Sequence, residues 1–130
     1  VAIQLGFALG DQILEIGYSD GCDELLRSKI CEITGSQLID IDPTEVIDGV
    51  ILWWRDGDGD LIDELMDAMT YLSQVGPIWV MTPKMGRENY VEISEIQDAA
   101  PIAGLAVTSS AAVSGDWSAH RLVARKASKR

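Results

Sequence analysis

The chain reads as an α/β domain built on a mostly parallel sheet between layers of helix, with an antiparallel pair of strands at its C-terminal end. Three observations predict this class. Short apolar runs of strand length alternate with segments of helical period. Two of those runs, Val50–Trp54 and Ile78–Met81, are apolar at every position, as strands covered on both faces are. The last two strands are separated by a turn only and must pair antiparallel, whereas strands separated by a helix need parallel, right-handed crossovers.

Each element has its own warrant. Asp11–Ile16 is the first predicted strand, closed by a turn carrying Gly17 and Gly21. Cys22–Thr34 follows as a helix, because Cys22, Leu26, Ile30 and Ile33 recur on one face; Gly35 supplies its stop. Gln37–Ile41 is a short second strand, after which Asp42 and Pro43 turn the chain into a brief segment, Thr44–Ile47. Val50–Trp54 is a central strand. Asp60–Gln74 is the most regular helix, with Leu61, Leu65, Met69 and Leu72 in one stripe, Ile62 and Met66 beside it, and Gly76 and Pro77 at its end. Ile78–Met81 is the next buried strand and Thr82–Tyr90 a loop. Ser94–Ala103 is a helix with Ser94 as N-cap and Gly104 as stop. Leu105–Val113 and Arg121–Ala124 are the terminal strands, joined through Ser114, Gly115 and Asp116. The sum is a three-layer Rossmann-like domain over residues 1–124, with a basic tail over 125–130.

At 130 residues this is about one domain's length, enough to bury a core without disulfides. With 47% hydrophobic and 24% charged residues the composition is globular rather than disordered. The long uncharged runs Ala68–Pro83 and Ala99–Gly115 fall short of about 18 residues and are broken by Pro, Gly or Ser, so no membrane span is expected. No basic segment precedes Val1–Gly10, so no signal peptide is expected in the sequence as it stands. Charge is uneven. All 21 acidic residues and five of the ten basic ones lie in residues 1–116, leaving that part at −16, while residues 117–130 carry +5. Such an acidic body repels phosphate backbones, and nucleic acid is not an expected partner. The basic end reads as a short solvated tail rather than an arm for nucleic acid. On the predicted helix Cys22 and Cys31 are half a turn out of phase and about 13 Å apart along the axis, so no disulfide joins them. Cys22 is expected in the core and Cys31 at the surface.

The end of the first strand carries Glu15, Gly17, Ser19 and Gly21, an acidic residue followed by Gly-x-Ser-x-Gly. This is similar to the first motif of class I S-adenosylmethionine-dependent methyltransferases, where the pattern is Gly-x-Gly-x-Gly. Glycines there let the backbone approach a cofactor beside a helix N-terminus. Asp40 or Asp42, about twenty residues on, matches the acid that holds ribose hydroxyls in such folds. The resemblance implies cofactor contacts at Glu15, Gly17, Ser19, Gly21 and Asp40. Three departures oppose them. Ser19 adds a Cβ where the adenosyl group would press. Only about 28 residues separate Gly21 from Val50, too few for the third strand and its helices. Trp53, Trp54, Arg55 and Asp56 stand where amino-methylating members carry Asp/Asn-Pro-Pro-aromatic. No cofactor is therefore expected, with S-adenosylmethionine as the alternative.

The run Leu52–Leu61 (LWWRDGDGDL) places Asp56, Asp58 and Asp60 at alternating positions, as in a calcium loop. Such a loop needs Gly where Leu61 stands and a bidentate Glu where Asp67 stands. The local reading is preferred, with Asp60 as helix cap, Asp63 and Glu64 in the first turn, and no metal. Ligands of open parallel sheets bind beyond the C-terminal ends of the strands. That edge makes Arg55, Asp56, Asp58, Lys84 and Arg87 candidate ligand contacts. Lys84 and Arg87 could hold an anion there; pairing with neighbouring carboxylates is the preferred alternative. His120, the lone histidine, has no evident Ser or Cys partner, and no catalytic residue is assigned. Trp53, Trp54 and Trp79 read as core, and Trp117 as an anchor for the terminal hairpin.

Taken whole, the sequence resembles a family of small acidic actinobacterial proteins, the domain of unknown function 3052. The likeness covers nearly the full chain and is most specific in Leu52–Leu61, Trp79–Arg87 and Asp116–Val123. It implies a cytoplasmic protein with no assigned activity. The expectation is a non-catalytic regulatory module that binds a protein partner. The alternative is an adenosyl- or nucleotide-binding sensor or a degenerate methyltransferase. A redox-responsive interactor acting through Cys31 is a third reading.

Overall fold

The structure, a computed structural model, describes residues 6–19, 21–40, 46–73, 76–112 and 116–125. Its elements run β1 (Ile13–Ile16), α1 (Glu24–Thr34), β2 (Gly49–Trp53), α2 (Leu61–Met69), β3 (Ile78–Pro83), α3 (Ile93–Ile102), β4 (Leu105–Ala112) and β5 (Trp117–Ala124). The strands form one sheet in the order β1-β2-β3-β5-β4. β1, β2 and β3 are parallel, and β5 runs antiparallel between β3 and β4. The expected α/β class and the antiparallel C-terminal pair are both present.

Strand alternation explains why β2 and β3 are apolar throughout. Val50, Leu52, Ile78 and Val80 face a core shared with Leu61, Leu65 and Ala68 of α2 and Ile96 and Ala100 of α3. Ile51, Trp53, Trp79 and Met81 face the opposite core, shared with Leu26 and Ile30 of α1. Helices on both faces leave no solvated side for polar residues to occupy. Trp53, Trp54 and Trp79 are all buried, as expected.

Several boundaries differ from the sequence reading. The second strand over Gln37–Ile41 reduces to a parallel bridge between Ile39 and Leu14; Ile41, with Asp42 and the turn after it, lies outside the described residues. In α1 the buried stripe continues from Ile30 to Thr34, while Ile33 is 43% exposed. Thr34 is tolerated there because its hydroxyl donates to the Ile30 and Ser36 carbonyls. Gly35 ends the helix in the left-handed region (φ 75°), as its position implied. α2 stops at Met69, short of Gln74. Its last turn tightens into i to i−3 bonds at Thr70, Tyr71 and Leu72, and Leu72 is then captured by a parallel bridge to Ile47. Ser94 is not the cap of α3. The N-cap is Glu92, whose side chain makes no capping bond. β5 begins at Trp117 rather than Arg121, so Trp117 sits in the sheet, buried, not in the turn.

Candidate functional site

The glycine turn follows β1 directly. Gly17 has φ 83°, and a Cβ built there would meet the Trp53 carbonyl oxygen at 2.5 Å. The glycine is thus required by the close approach of β1 and β2 backbones, whatever else the turn binds. Glu15 is buried, and its carboxylate accepts from Arg27 Nε at 2.6 Å, Arg27 Nη2 at 2.8 Å and Trp53 Nε1 at 2.8 Å. Arg27 also pairs with Glu24 at 2.9 Å and lies over the Tyr18 ring at 3.7 Å. The bond to Glu15, more than any other neighbour, holds the Arg27 guanidinium above its ordinary range. Tyr18 closes the group by donating to Glu24, which lowers the Glu24 carboxyl.

Arg55, at the end of β2, reaches into this turn. Its Nη2 donates to the Gly17 carbonyl at 3.2 Å, Ser19 Oγ at 2.8 Å and Cys22 Sγ at 3.3 Å, and its Nη1 pairs with Asp58 at 3.3 Å. The guanidinium also lies 5.6 Å from the centre of the Trp117 ring, which itself donates to the Gly21 carbonyl at 3.1 Å and meets Trp53 edge to face. Gly17, Ser19, Cys22 and Trp117 therefore meet at one cation, and Gly21 joins them through Trp117. Burial raises the Cys22 thiol, in keeping with an inert core sulfur. Cys31 is half-buried, and the two cysteines are not bonded. In the 55–60 loop Asp58 accepts from the Arg55 amide, and Asp60 accepts from the amides of Ile62 and Asp63 as N-cap of α2. Two of the three alternating aspartates thus have local structural work. Asp56 is exposed.

On the other side of β1 a cleft of about 480 Å³ is lined by Glu15, Gly17 and Asp40 of the motif reading but not by its Ser19 or Gly21. Glu64 and Asp67 of α2 complete its acidic wall. Desolvation, then repulsion from Asp67 and Asp58, raises the Glu64 carboxyl. Nothing in the sequence pattern singled out Glu64 and Asp67 as cleft residues, because both read as the polar face of a helix.

The far part of the edge is different. Arg87 is paired with Asp116 at 2.6 Å, both exposed, which is the preferred alternative from the sequence. Lys84 instead lines a pocket of about 330 Å³ between the 84–90 loop, β5 and the start of α3. His120, not assigned a partner from the sequence, has two: Ser110 Oγ lies 2.8 Å from Nδ1 and Thr82 Oγ1 3.3 Å from Nε2. Burial lowers its basicity. The register Ser110↔His120 depends on an irregularity between Val107 and Ser109, which no sequence signal announced. Among the described residues no group of three His, Cys, Asp or Glu side chains could hold one metal ion. None of the described helices is long and apolar enough to cross a membrane.

A family model described as "Protein of unknown function (DUF3052)" matches residues 2–126. An uncharacterized protein of Mycobacterium tuberculosis (Rv2239c) is 50% identical over 125 residues, covering 96% of this chain and 78% of its own length; one of Mycobacterium bovis (Mb2263c) matches equally. Among solved structures, the pyocyanin biosynthetic protein PhzM superposes with a TM-score of 0.71 at 13% identity, over 94% of this chain and 52% of its own. A mitomycin 7-O-methyltransferase, MmcR, gives 0.68 at 10% identity over 89% of this chain, which spans only 49% of it. A putative type 11 methyltransferase from Sulfolobus solfataricus gives 0.62 at 10% over 93% and 89%. At these identities the likeness is one of fold.

Proposed function

Since the chain belongs to the DUF3052 family, whose model spans residues 2–126, and has a methyltransferase-like fold, we propose that it is a non-catalytic Rossmann-like module that acts by binding a protein partner. The observation that carries this reading is the Arg55 guanidinium seated on the Gly17 carbonyl and Ser19 hydroxyl. A turn meant for an adenosyl cofactor needs open backbone; here it is filled by the chain's own cation, and Glu15 is spent on Arg27 and Trp53. The turn does not fit the cofactor that its fold implies. Supporting a partner surface, Leu25 (83% exposed) and Ile33 (43%) share the outward stripe of α1.

A second reading is favoured by the acidic cleft, where Asp40 could take the hydroxyls of an adenosyl ribose. With Glu64 and Asp67 in its wall, that cleft suits a cationic adenosyl ligand better than a nucleotide polyphosphate. A thermal-shift panel of S-adenosylmethionine, S-adenosylhomocysteine and adenine and guanine nucleotides separates the two. A ligand at about one hundred times its dissociation constant stabilises by roughly 2.7 kcal/mol, a shift on the order of 10 °C in a domain near this size. No shift with any of them is expected. A shift with S-adenosylmethionine that Asp40→Asn abolishes replaces the first reading by the second.

A further inference from the structure

We propose that the pocket beneath the 84–90 loop binds a small organic monocarboxylate, its carboxylate held by Lys84 and Thr82 and its hydrocarbon body by Met85, Val91 and Ile93. This goes beyond the partner-binding reading and is independent of it, since the pocket lies apart from the glycine turn and shares none of its residues.

The volume, about 330 Å³, falls at the lower end of the range for small-molecule sites. Its lining is mixed. Polar groups (the Lys84 ammonium, the Thr82 and Ser118 hydroxyls and the His120 ring) share it with apolar side chains that include Met85, Val91 and Ile93. Such a lining suits a ligand with a charged head and an apolar body.

The polar part of the lining is built, not incidental. Thr82 is 1% exposed and His120 6%, so neither side chain is a surface group that happens to be near. His120 is fixed at both nitrogens, by Ser110 at 2.8 Å and Thr82 at 3.3 Å. Burial keeps the imidazole neutral near pH 7, so one nitrogen donates and the other accepts. When Ser110 donates to Nδ1, the Nε2–H donates to Thr82 Oγ1, and the Thr82 hydroxyl proton is left to point at a ligand oxygen. A bound carboxylate selects that arrangement, with a relay of bonds from Ser110 through His120 and Thr82 to the anion. The start of α3 adds to the field. Its cap residue Glu92 makes no side-chain capping bond, and Ile93, the first helical residue, lines the pocket.

Charge count selects the ligand class. Arg87, the other cation of this loop, is already paired with Asp116, and Lys84 is the one cation among the described residues that line the pocket. One cation in a chain of net charge −11 balances a single negative charge and leaves a phosphate dianion half uncompensated. The apolar side chains of the lining give a hydrocarbon body something to cover, which an inorganic anion would not use.

The chain has one histidine, so the carbon-bound ring protons of His120 are a unique NMR reporter inside the pocket. The full chain is titrated at constant ionic strength and pH with sodium benzoate and sodium isovalerate, and separately with benzamide and inorganic phosphate. The expected result is a saturable shift of the His120 signals with the carboxylates, with benzamide and phosphate weaker by about tenfold or more. Lys84→Met should weaken benzoate binding by a similar factor, and Arg87→Met should leave it unchanged. Thr82→Val, close in size to threonine, should also weaken it with the fold retained by circular dichroism, so the proposal does not hang on one variant. Absence of a saturable shift, equal binding of benzamide, or unaltered affinity in folded Lys84→Met would each overturn it.

Discussion

The C-terminal edge of the sheet treats charge in opposite ways at its two ends. At the β1 end, Glu15 is tied to Arg27 and Trp53, and Arg55 is tied to Gly17, Ser19, Cys22 and Asp58. At the β3 and β5 end, Lys84 stands in a pocket walled by neutral hydroxyls and an imidazole. Both ends occupy the place where α/β sheets present ligands. The difference teaches that location only nominates a site; what decides is whether its charged groups are already paired within the chain.

That contrast can be broken from the β1 side first. Glu15→Ala leaves Trp53 Nε1 and the Arg27 guanidinium without their buried acceptor. The loss expected in urea unfolding is about 3 kcal/mol, the low end for a broken buried pair because Arg27 keeps some contact with water. Gly17→Ala comes next, at roughly 2 kcal/mol, since it combines a positive φ with a Cβ driven onto the Trp53 carbonyl. A loss within about 0.5 kcal/mol at Gly17 would mean that β1 and β2 do not approach as closely as described. Arg55→Ala should cost about 1 kcal/mol and open the turn. If S-adenosylmethionine stabilises this variant and not the unaltered chain, the guanidinium is what keeps the turn closed.

The smallest effect concerns pH and the other end. Burial lowers the folded-state pKa of His120, so below the unfolded value of about 6.5 the unfolded chain binds more protons than the folded one. Stability from this group is present above that pH and lost as pH falls through it. The urea midpoint should therefore drop between pH 7.5 and pH 5.5, and less so in His120→Gln. An equal drop in both would assign the pH dependence to carboxylates instead.

Much of this was legible in the sequence, and the reasons are local. The unbroken apolar runs of β2 and β3 gave away a sheet covered on both faces, and Gly35 marked a helix end that only a left-handed residue could make. Asp60 was readable as a cap because the helix it starts is strongly periodic. What stayed hidden depends on the third dimension. Arg55 was visible as a cation at the sheet edge but not as the group that fills the glycine turn, 38 residues away in sequence. Ser110 meets His120 through the strand register of a hairpin with an irregularity in it. The Gln37–Ile41 strand failed because propensity for a strand does not supply a neighbour on its other edge; Ile39 bridges β1, and β1 ends the sheet order.

The most direct test of the central claim is isothermal titration of the unaltered chain with S-adenosylmethionine, alongside Arg55→Ala. A turn closed from within predicts no binding to the unaltered chain at about 1 mM ligand, a free energy weaker than roughly 4 kcal/mol. Stoichiometric, saturable binding to the unaltered chain, lost in Asp40→Asn, would contradict the account and make this chain a cofactor-binding protein.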